Sequence, residues 1–502
     1  MPLVSKYRVP SSSAHQPATL DRGFGSILAQ LGPGAIVASL TIGSGELVFS
    51  TRGGSLFGYH ILGLFVLVLL LKWSLVIVSA RHWIATGRHP FERWIDLPGP
   101  RGWLLFSFLI LAAMAFPVWV SFHASTVGTL LASLTGTAQS LRGSGSLVWG
   151  IIVLVAAVLL ALTGSFARME KLQTAIVALM LLSMLVSLAL LNPSWTEMIR
   201  GVFYLGPLRY PEWAAGLPEF AGRPVWLEAA TYAGVLGGGG YDYLAYITWL
   251  REKHGSTLAR AQSEPDARVW LRRVILVDSI VSFTAVLLFT GAFVACGVIL
   301  LAPQHQVPSG TDLLTLQSQF VSAGGAWLRP LYFTGALLAI GGTLYGTIEV
   351  APAILNELLR AFRWKNFSAG DPRARTWAVR WCSFGALVLL IGSLLQRLLA
   401  PNTEPLRLVA FLTPANLFTG VMACGIVSLL NLWTNWRFSQ SGQRMNPLLI
   451  ILNFAGAALF LGLGLKGYWD LSAWMGPAIL AATLGLGMIA ARLFKPRFDG
   501  LD

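Results

Sequence analysis

Charge is what this chain has least of. Of 502 residues only 12% are Asp, Glu, Lys or Arg, against 55% apolar, whereas a soluble domain carries roughly 25% charge. That scarcity excludes an ordinary water-soluble globule. Cysteine is rarer still. Cys296, Cys382 and Cys424 fall in three separate apolar segments with neither metal nor redox spacing, which excludes a disulfide framework and leaves them as small packing residues. A His-Glu-x-x-His pair, a phosphate-cradling Walker loop and a Gly-x-Ser-x-Gly elbow are all absent. The expectation is therefore no enzyme, no catalytic residue, no resident cofactor and no nucleotide-driven transport within this chain. The first thirty residues are polar and Pro/Ser-rich, so no cleavable signal peptide is expected and the first apolar helix serves as the insertion signal.

What the chain has in abundance is apolar length. A spanning helix needs about 20 mostly apolar residues, and about twelve such stretches are present. They centre near Ser39, Val68, Ala113, Val155, Leu182, Gly237, Leu287, Leu338, Leu389, Thr419, Ala457 and Leu484. The fold class expected is an all-α polytopic membrane protein. The net charge of +14 reflects topology rather than nucleic-acid binding. Basic residues cluster in alternate loops: Arg81, Arg88, Arg93 and Arg101; Arg251, Lys253, Arg260, Arg268, Arg272 and Arg273; Arg360, Arg363, Lys365, Arg373, Arg375 and Arg380. The opposite loop from Ala302 to Thr311 has none. This bias predicts a multi-pass protein of the cell membrane, embedded in lipid, with both termini cytoplasmic and no nucleic-acid partner.

Glycine interrupts two of the apolar stretches. The first reads Ile42-Gly43-Ser44-Gly45-Glu46 and the sixth Gly237-Gly238-Gly239-Gly240-Tyr241-Asp242. Glycine loses the most backbone entropy on entering a helix, so both runs favour unwinding. Unwound backbone at membrane depth is tolerated only where protein buries it or water reaches it. Broken helices at matching places in two halves point to a secondary transporter's binding site. The division expected is a tail over 1–24, five helices over 25–192, an outward-facing insertion over 193–225, five helices over 226–434, two peripheral helices over 445–495 and a tail over 496–502. Five is odd, so the second set inserts upside down, as an inverted repeat. The polar stretch from Arg251 to Arg273 reads as a cytoplasmic linker.

At each break, freed carbonyls beside a carboxylate form an oxygen-rich cage suited to a hard cation. Glu46 and Asp242 are the candidate anions, and each is also readable as a structural hydrogen-bonding or ion-paired acid. Three further ionisable residues are candidates for a proton path. His123 is a relay or a hydrogen-bonded structural histidine. Asp278 is a relay or an ion-pair partner of Arg272 and Arg273. Glu349 lies on a proton path or pairs with a neighbouring helix. Lys72 is expected to snorkel or to pair with an internal acid. Pro117, Pro352 and Pro414 read as kinks.

The stretch Leu31-Gly32-Pro33-Gly34, the break after it and Gly53-Gly54-Ser55-Leu56-Phe57-Gly58-Tyr59 resemble the start of the Nramp divalent-metal transporters. Ser79-Ala80-Arg81 leading to Ile84-Ala85-Thr86-Gly87 is similar too, as is the sixth-helix entry Ala233-Gly234-Val235-Leu236-Gly237. The hydropathy plan resembles that family over nearly the whole chain. The resemblance implies a LeuT-type 5+5 inverted repeat with helices one and six broken. It implies proton-coupled transport of a divalent metal ion of the Mn/Fe/Mg class, by alternating access around a mid-membrane site. The metal residues it implies are Glu46, Ile42, Gly43, Gly238, Tyr241 and Asp242, with Ile42 and Gly238 offering carbonyls. The partners implied are the metal ion, protons and the bilayer, for a monomer or weak oligomer.

The departures fall on the chemistry. The family's Asp-Pro-Gly-Asn is replaced by Gly43-Ser44-Gly45-Glu46, and its Met-Pro-His by Tyr241-Asp242-Tyr243. Its helix-three acids match Phe122 and Ser125, with His123 between. The chain resembles a divergent branch with Gly-x-Gly-acid in helix one and Trp-Leu-Arg-Glu-Lys at Trp249 to Lys253. Loss of a thioether removes the soft ligand that favours Mn or Fe over Mg and Ca. Two other functions stay open from the residues: transport of a small organic solute or amino acid, in a pocket lined by Tyr241, Tyr243 and Tyr246, and sensing without transport.

Overall fold

The computed structural model describes residues 24–28, 30–43, 45–163, 166–217, 220, 222–307, 328–362, 371–399, 408–438 and 444–494. The expected tails, apart from Phe24, lie outside them. Among the described residues every regular element is helical, and nine helices are long and apolar enough to cross a membrane. The rest of the expected set comprises the 26-residue helix Phe166–Leu191 and the two interrupted helices. The first helix runs Pro33–Thr41, breaks, and resumes over Gly45–Ser50 and Thr51–Phe57. The sixth runs Val225–Val235, breaks, and resumes over Gly240–Ser263. The third, eighth and tenth, which matter for the site, are Trp103–Leu134, Leu328–Phe362 and the run from Leu408–Asn416 to Ala423–Phe438.

A helix apolar on every side is either buried or a membrane span, and burial sorts the helices into two kinds. The second helix, Ile61–Thr86, hides most of its length and ends at Gly87 in the left-handed region (φ 68°). The eleventh and twelfth, Pro447–Ser472 and Met475–Phe494, expose large apolar side chains such as Phe454, Ile451 and Ile489. Lipid suits that face and water does not. The broken helices sit among the buried kind.

Ion pairs show how helices one and six run. Arg52, after the first break, pairs with Glu228, before the second, at 2.5 Å. Lys253, after the second break, donates to the carbonyl of Leu31, before the first, at 2.8 Å. The two helices are therefore antiparallel, as an upside-down repeat requires. Arg223 also reaches Glu228 at 3.0 Å, and Tyr232 donates to it at 3.0 Å. Around the far end, Arg251 donates to both oxygens of Glu357 at 2.8 and 2.7 Å. Lys253 also pairs with Glu170. Buried and half-buried pairs thus close both ends of the helix-one and helix-six couple.

Three expectations change. The stretch from Arg251 to Arg273 is not a linker loop: it is helical except at Glu264, where Pro265 starts the next helix, Pro265–Cys296. Its Arg, Lys, Leu and Ala are good helix formers, and polarity alone does not end a helix. Asp278 forms no ion pair with Arg272 or Arg273. It accepts from the amides of Gly32 at 3.0 Å and Gly34 at 2.7 Å and from Tyr246 at 2.9 Å, satisfying orphan donors at the start of helix one. Lys72 does not snorkel; it is wholly buried. Pro117, Pro352 and Pro414 all lie inside helices.

The insertion over 193–225 packs onto the end of helices one and two. His60 stacks on Tyr204 at 4.2 Å, Phe57 on Tyr210 at 5.6 Å, and Trp213 on His305 at 5.0 Å. At the other end, in the segment after helix two, His89 is wholly buried. Its Nε2 meets the Leu244 carbonyl at 3.1 Å, and its Nδ1 accepts from the Phe91 amide at 3.2 Å. Only the neutral Nε2–H imidazole satisfies both. Burial, and after it the Arg251 guanidinium, pushes its pKa down to about 3. Below the ordinary value near 6.5 the unfolded chain takes up a proton that the folded chain refuses, so folding stability falls with pH across that window. Melting curves of purified protein from pH 7 to 4 are expected to show this loss, and His89→Gln to flatten it. Parallel curves for the two proteins would remove His89 as the cause.

Candidate functional site

Each break has a local cause. After Thr41 the chain turns: the amide of Ile42 still bonds Ala38 at 2.8 Å, while that of Gly43 bonds Thr41 at 2.9 Å. In helix six, Leu236 is extended, and Gly237 and Gly238 take φ +73° and +90°. An L side chain in the left-handed region costs roughly 1–2 kcal/mol per residue. A Cβ at Gly238 would also lie 2.5 Å from Cγ2 of Thr41. The two breaks touch each other.

Glu46 ties them together. It is wholly buried; its Oε1 accepts from the Gly237 amide at 2.9 Å, and its Oε2 faces the Gly43 amide at 3.4 Å. One carboxylate so faces a backbone amide from each break. Asp242 does the same locally, accepting from the Gly239 amide at 2.6 Å in the first turn of the resumed helix. The freed carbonyls go to Lys72, whose ammonium donates to Gly238 at 2.6 Å, Leu236 at 2.7 Å and Gly234 at 3.4 Å. Tyr243 donates to the carbonyl of Gly237.

Beside this junction lies a cavity of about 60 Å³. One water needs roughly 10–15 Å³ on that measure, so the space suits an ion with a few waters. Helix one supplies Leu40 and Thr41; helix six Gly234, Val235, Gly238, Gly239, Tyr241 and Asp242; helix three Phe116, Trp119 and His123. Thr343 and Thr347 come from helix eight, and Thr419 and Gly420 from helix ten. Trp119 donates to Thr419 at 2.9 Å and stacks on His123 at 5.5 Å. Among the described residues no three His, Cys, Asp or Glu side chains group to hold a metal.

Gly238, Tyr241, Asp242 and His123 therefore share one cavity. Glu46, Ile42 and Gly43 are not among its lining; they stand behind it in the first break, where the Ile42 carbonyl meets the Thr343 hydroxyl at 3.4 Å. Tyr241 turns its hydroxyl to the Phe108 carbonyl at 2.7 Å. Asp278 is engaged at the start of helix one, and Glu349 pairs with Arg375 at 2.7 Å. Sequence reasoning missed Thr41, Thr343, Thr347, Trp119 and Thr419 as lining, because hydroxyls and a lone indole scattered through apolar helices carry no spacing signal. It also missed Gln173, which bonds Ser39 in helix one and the Gly342 carbonyl in helix eight. The buried charge of Lys72 was the one visible clue to its place.

These features define a polytopic helical membrane protein of the broken-helix, inverted-repeat class. The chain belongs to the family described as natural resistance-associated macrophage protein-like, whose model matches residues 34–470. It is 29% identical over 198 residues to the divalent metal cation transporter MntH of Brucella suis biovar 1, covering 38% of this chain and 41% of that one. Against MntH of Levilactobacillus brevis it is 27% identical over 183 residues, covering 35% and 37%. These matches span about two-fifths of the relatives' own lengths. A manganese transporter of Eremococcus coleocola, crystallised with an aromatic bis-isothiourea substituted compound, shares the fold. Its TM-score is 0.70 over 96% of this chain and 98% of that one, at 15% identity.

Two substitutions probe the junction. Gly238→Ala forces a methyl group into Thr41 at positive φ and is expected to cost about 1–2 kcal/mol or more. Glu46→Gln sets an NH2 group against an amide N–H, at about 1–3 kcal/mol. Both are expected to lower the melting temperature of the detergent-purified protein; unchanged melting would refute the junction as drawn.

Proposed function

We propose that this protein is a secondary transporter of a divalent metal cation of the Mn/Fe/Mg class, not an enzyme. It sits in the cell membrane with both termini cytoplasmic and moves its cargo by alternating access around the cavity between the two breaks. The observation that carries this reading is Asp242: a half-buried carboxylate on the wall of an ion-sized cavity where two helices unwind against each other. The names of the relatives support the choice of cargo, and the basic loops support the orientation.

Asp242 is the proposed primary ligand, with the carbonyl of Gly238. Ile42, Gly43 and Glu46 form the row behind them, and Tyr241 shapes the wall. No Met or Cys lines the cavity, so the donor set is hard and suits Mg as well as Mn. His123 is the proposed acceptor of a coupled proton, because it lines the same cavity. Asp278 and Glu349 are engaged elsewhere. At about 60 Å³ the cavity is far short of the roughly 300–1,000 Å³ of small-molecule sites, which disfavours an organic cargo.

The test is uptake into proteoliposomes loaded with a metal-sensitive dye, using Mn and Mg with and without a pH gradient. Wild type is expected to take up both ions. Asp242→Asn is expected to lose at least about tenfold, roughly 1.4 kcal/mol. His123→Gln should retain metal binding while losing the response to the gradient. Saturable metal binding without flux would make the protein a sensor, and no metal response at all would sink the reading.

A further inference from the structure

The cation seat of the sixth-helix break already holds a cation, and that cation belongs to the chain. An ammonium has three protons to donate and accepts nothing. Lys72 directs its ammonium at the carbonyls of Gly238, Leu236 and Gly234. Gly234 and Leu236 lie at the partially negative end of the leading half-helix, and Gly238 lies in the unwound stretch after it. The same group acts electrostatically on both Glu46 and Asp242 and lies 5.8 Å from the Phe460 ring.

A lysine kept only to neutralise an acid would bond that acid. Here both acids take backbone amides instead, and the ammonium takes the carbonyls that a bare ion would seek. Glycine lets the backbone curl around it: with Gly237 and Gly238 turned left-handed, the Leu236 and Gly238 carbonyls reach the ammonium while that of Gly237 goes to Tyr243.

We propose that Lys72 is a tethered resident cation, which fills this seat when cargo is absent and yields the Gly238 and Leu236 oxygens to the incoming ion. It thereby sets selectivity. A monovalent ion that displaced the ammonium would restore only the same unit charge beside the two carboxylates. A divalent ion brings twice that charge, and the Coulomb gain doubles with it. Lys72 is thus a filter against Na and K. The identity of the cargo rests on the transport reading above; the seat itself does not.

The experiment uses the full chain in detergent, as wild type, Lys72→Met and Lys72→Ala. Mn binding is measured by calorimetry, and melting is followed in K and in ethylammonium, a free version of the missing group. Lys72→Met is expected to bind Mn at least about tenfold tighter than wild type and to gain K binding that wild type lacks. Lys72→Ala is expected to be stabilised saturably by ethylammonium, whether or not the protein carries metal. A variant that folds only when K or ethylammonium is supplied supports the seat. A variant that stays unfolded with every cation overturns it, as does unchanged or weaker Mn affinity with no monovalent effect; Lys72 would then be a strut. If wild type neither binds nor carries a divalent ion, the transport reading fails, while the ethylammonium arm still decides the seat.

Discussion

The carboxylate of Glu46 is the contact on which the centre of this molecule depends. It joins the amide of Gly237 to the first-helix break across 191 residues of sequence. Two interrupted helices, each carrying unpaired backbone groups into a membrane, are stable only if those groups find partners. Here they find them in side chains of the two broken helices and of helices two and eight. Glu46 and Asp242 serve the amides, Lys72 serves the carbonyls, and the Thr343 hydroxyl faces the Ile42 carbonyl. What looks like damage to two helices is a single shared polar junction.

That junction is held between two charged plugs. Arg52, Arg223 and Glu228 close one end, and Arg251, Glu357, Lys253 and Glu170 the other. Removing one partner from a buried pair leaves an uncompensated charge, which costs far more than the pair contributes. The antiparallel course of helices one and six places one plug on each side of the cavity.

Much of this was legible in the sequence, and the limit is instructive. The spanning helices followed from apolar run length, and both breaks from glycine. The family followed from Gly32-Pro33-Gly34 and the segment around Gly53 to Tyr59. The stretch from Arg251 to Arg273 was misread because polarity was taken for a loop where helix formers and Pro265 make two helices. Asp278 was read as a relay or as a partner of nearby arginines, since sequence offers only neighbours; two of its partners lie more than 240 residues away at Gly32 and Gly34.

By itself, the sequence determined that this chain spans a membrane many times and unwinds twice inside it. Those outcomes rest on local terms, the transfer of apolar side chains and the backbone entropy of glycine. The tertiary structure alone decided that Asp242 rather than Glu46 lines the cavity, and that an ammonium occupies the freed carbonyls. Each of those depends on how one helix is rotated against another. Rotation is fixed by contacts between distant segments, so no single stretch of chain records it.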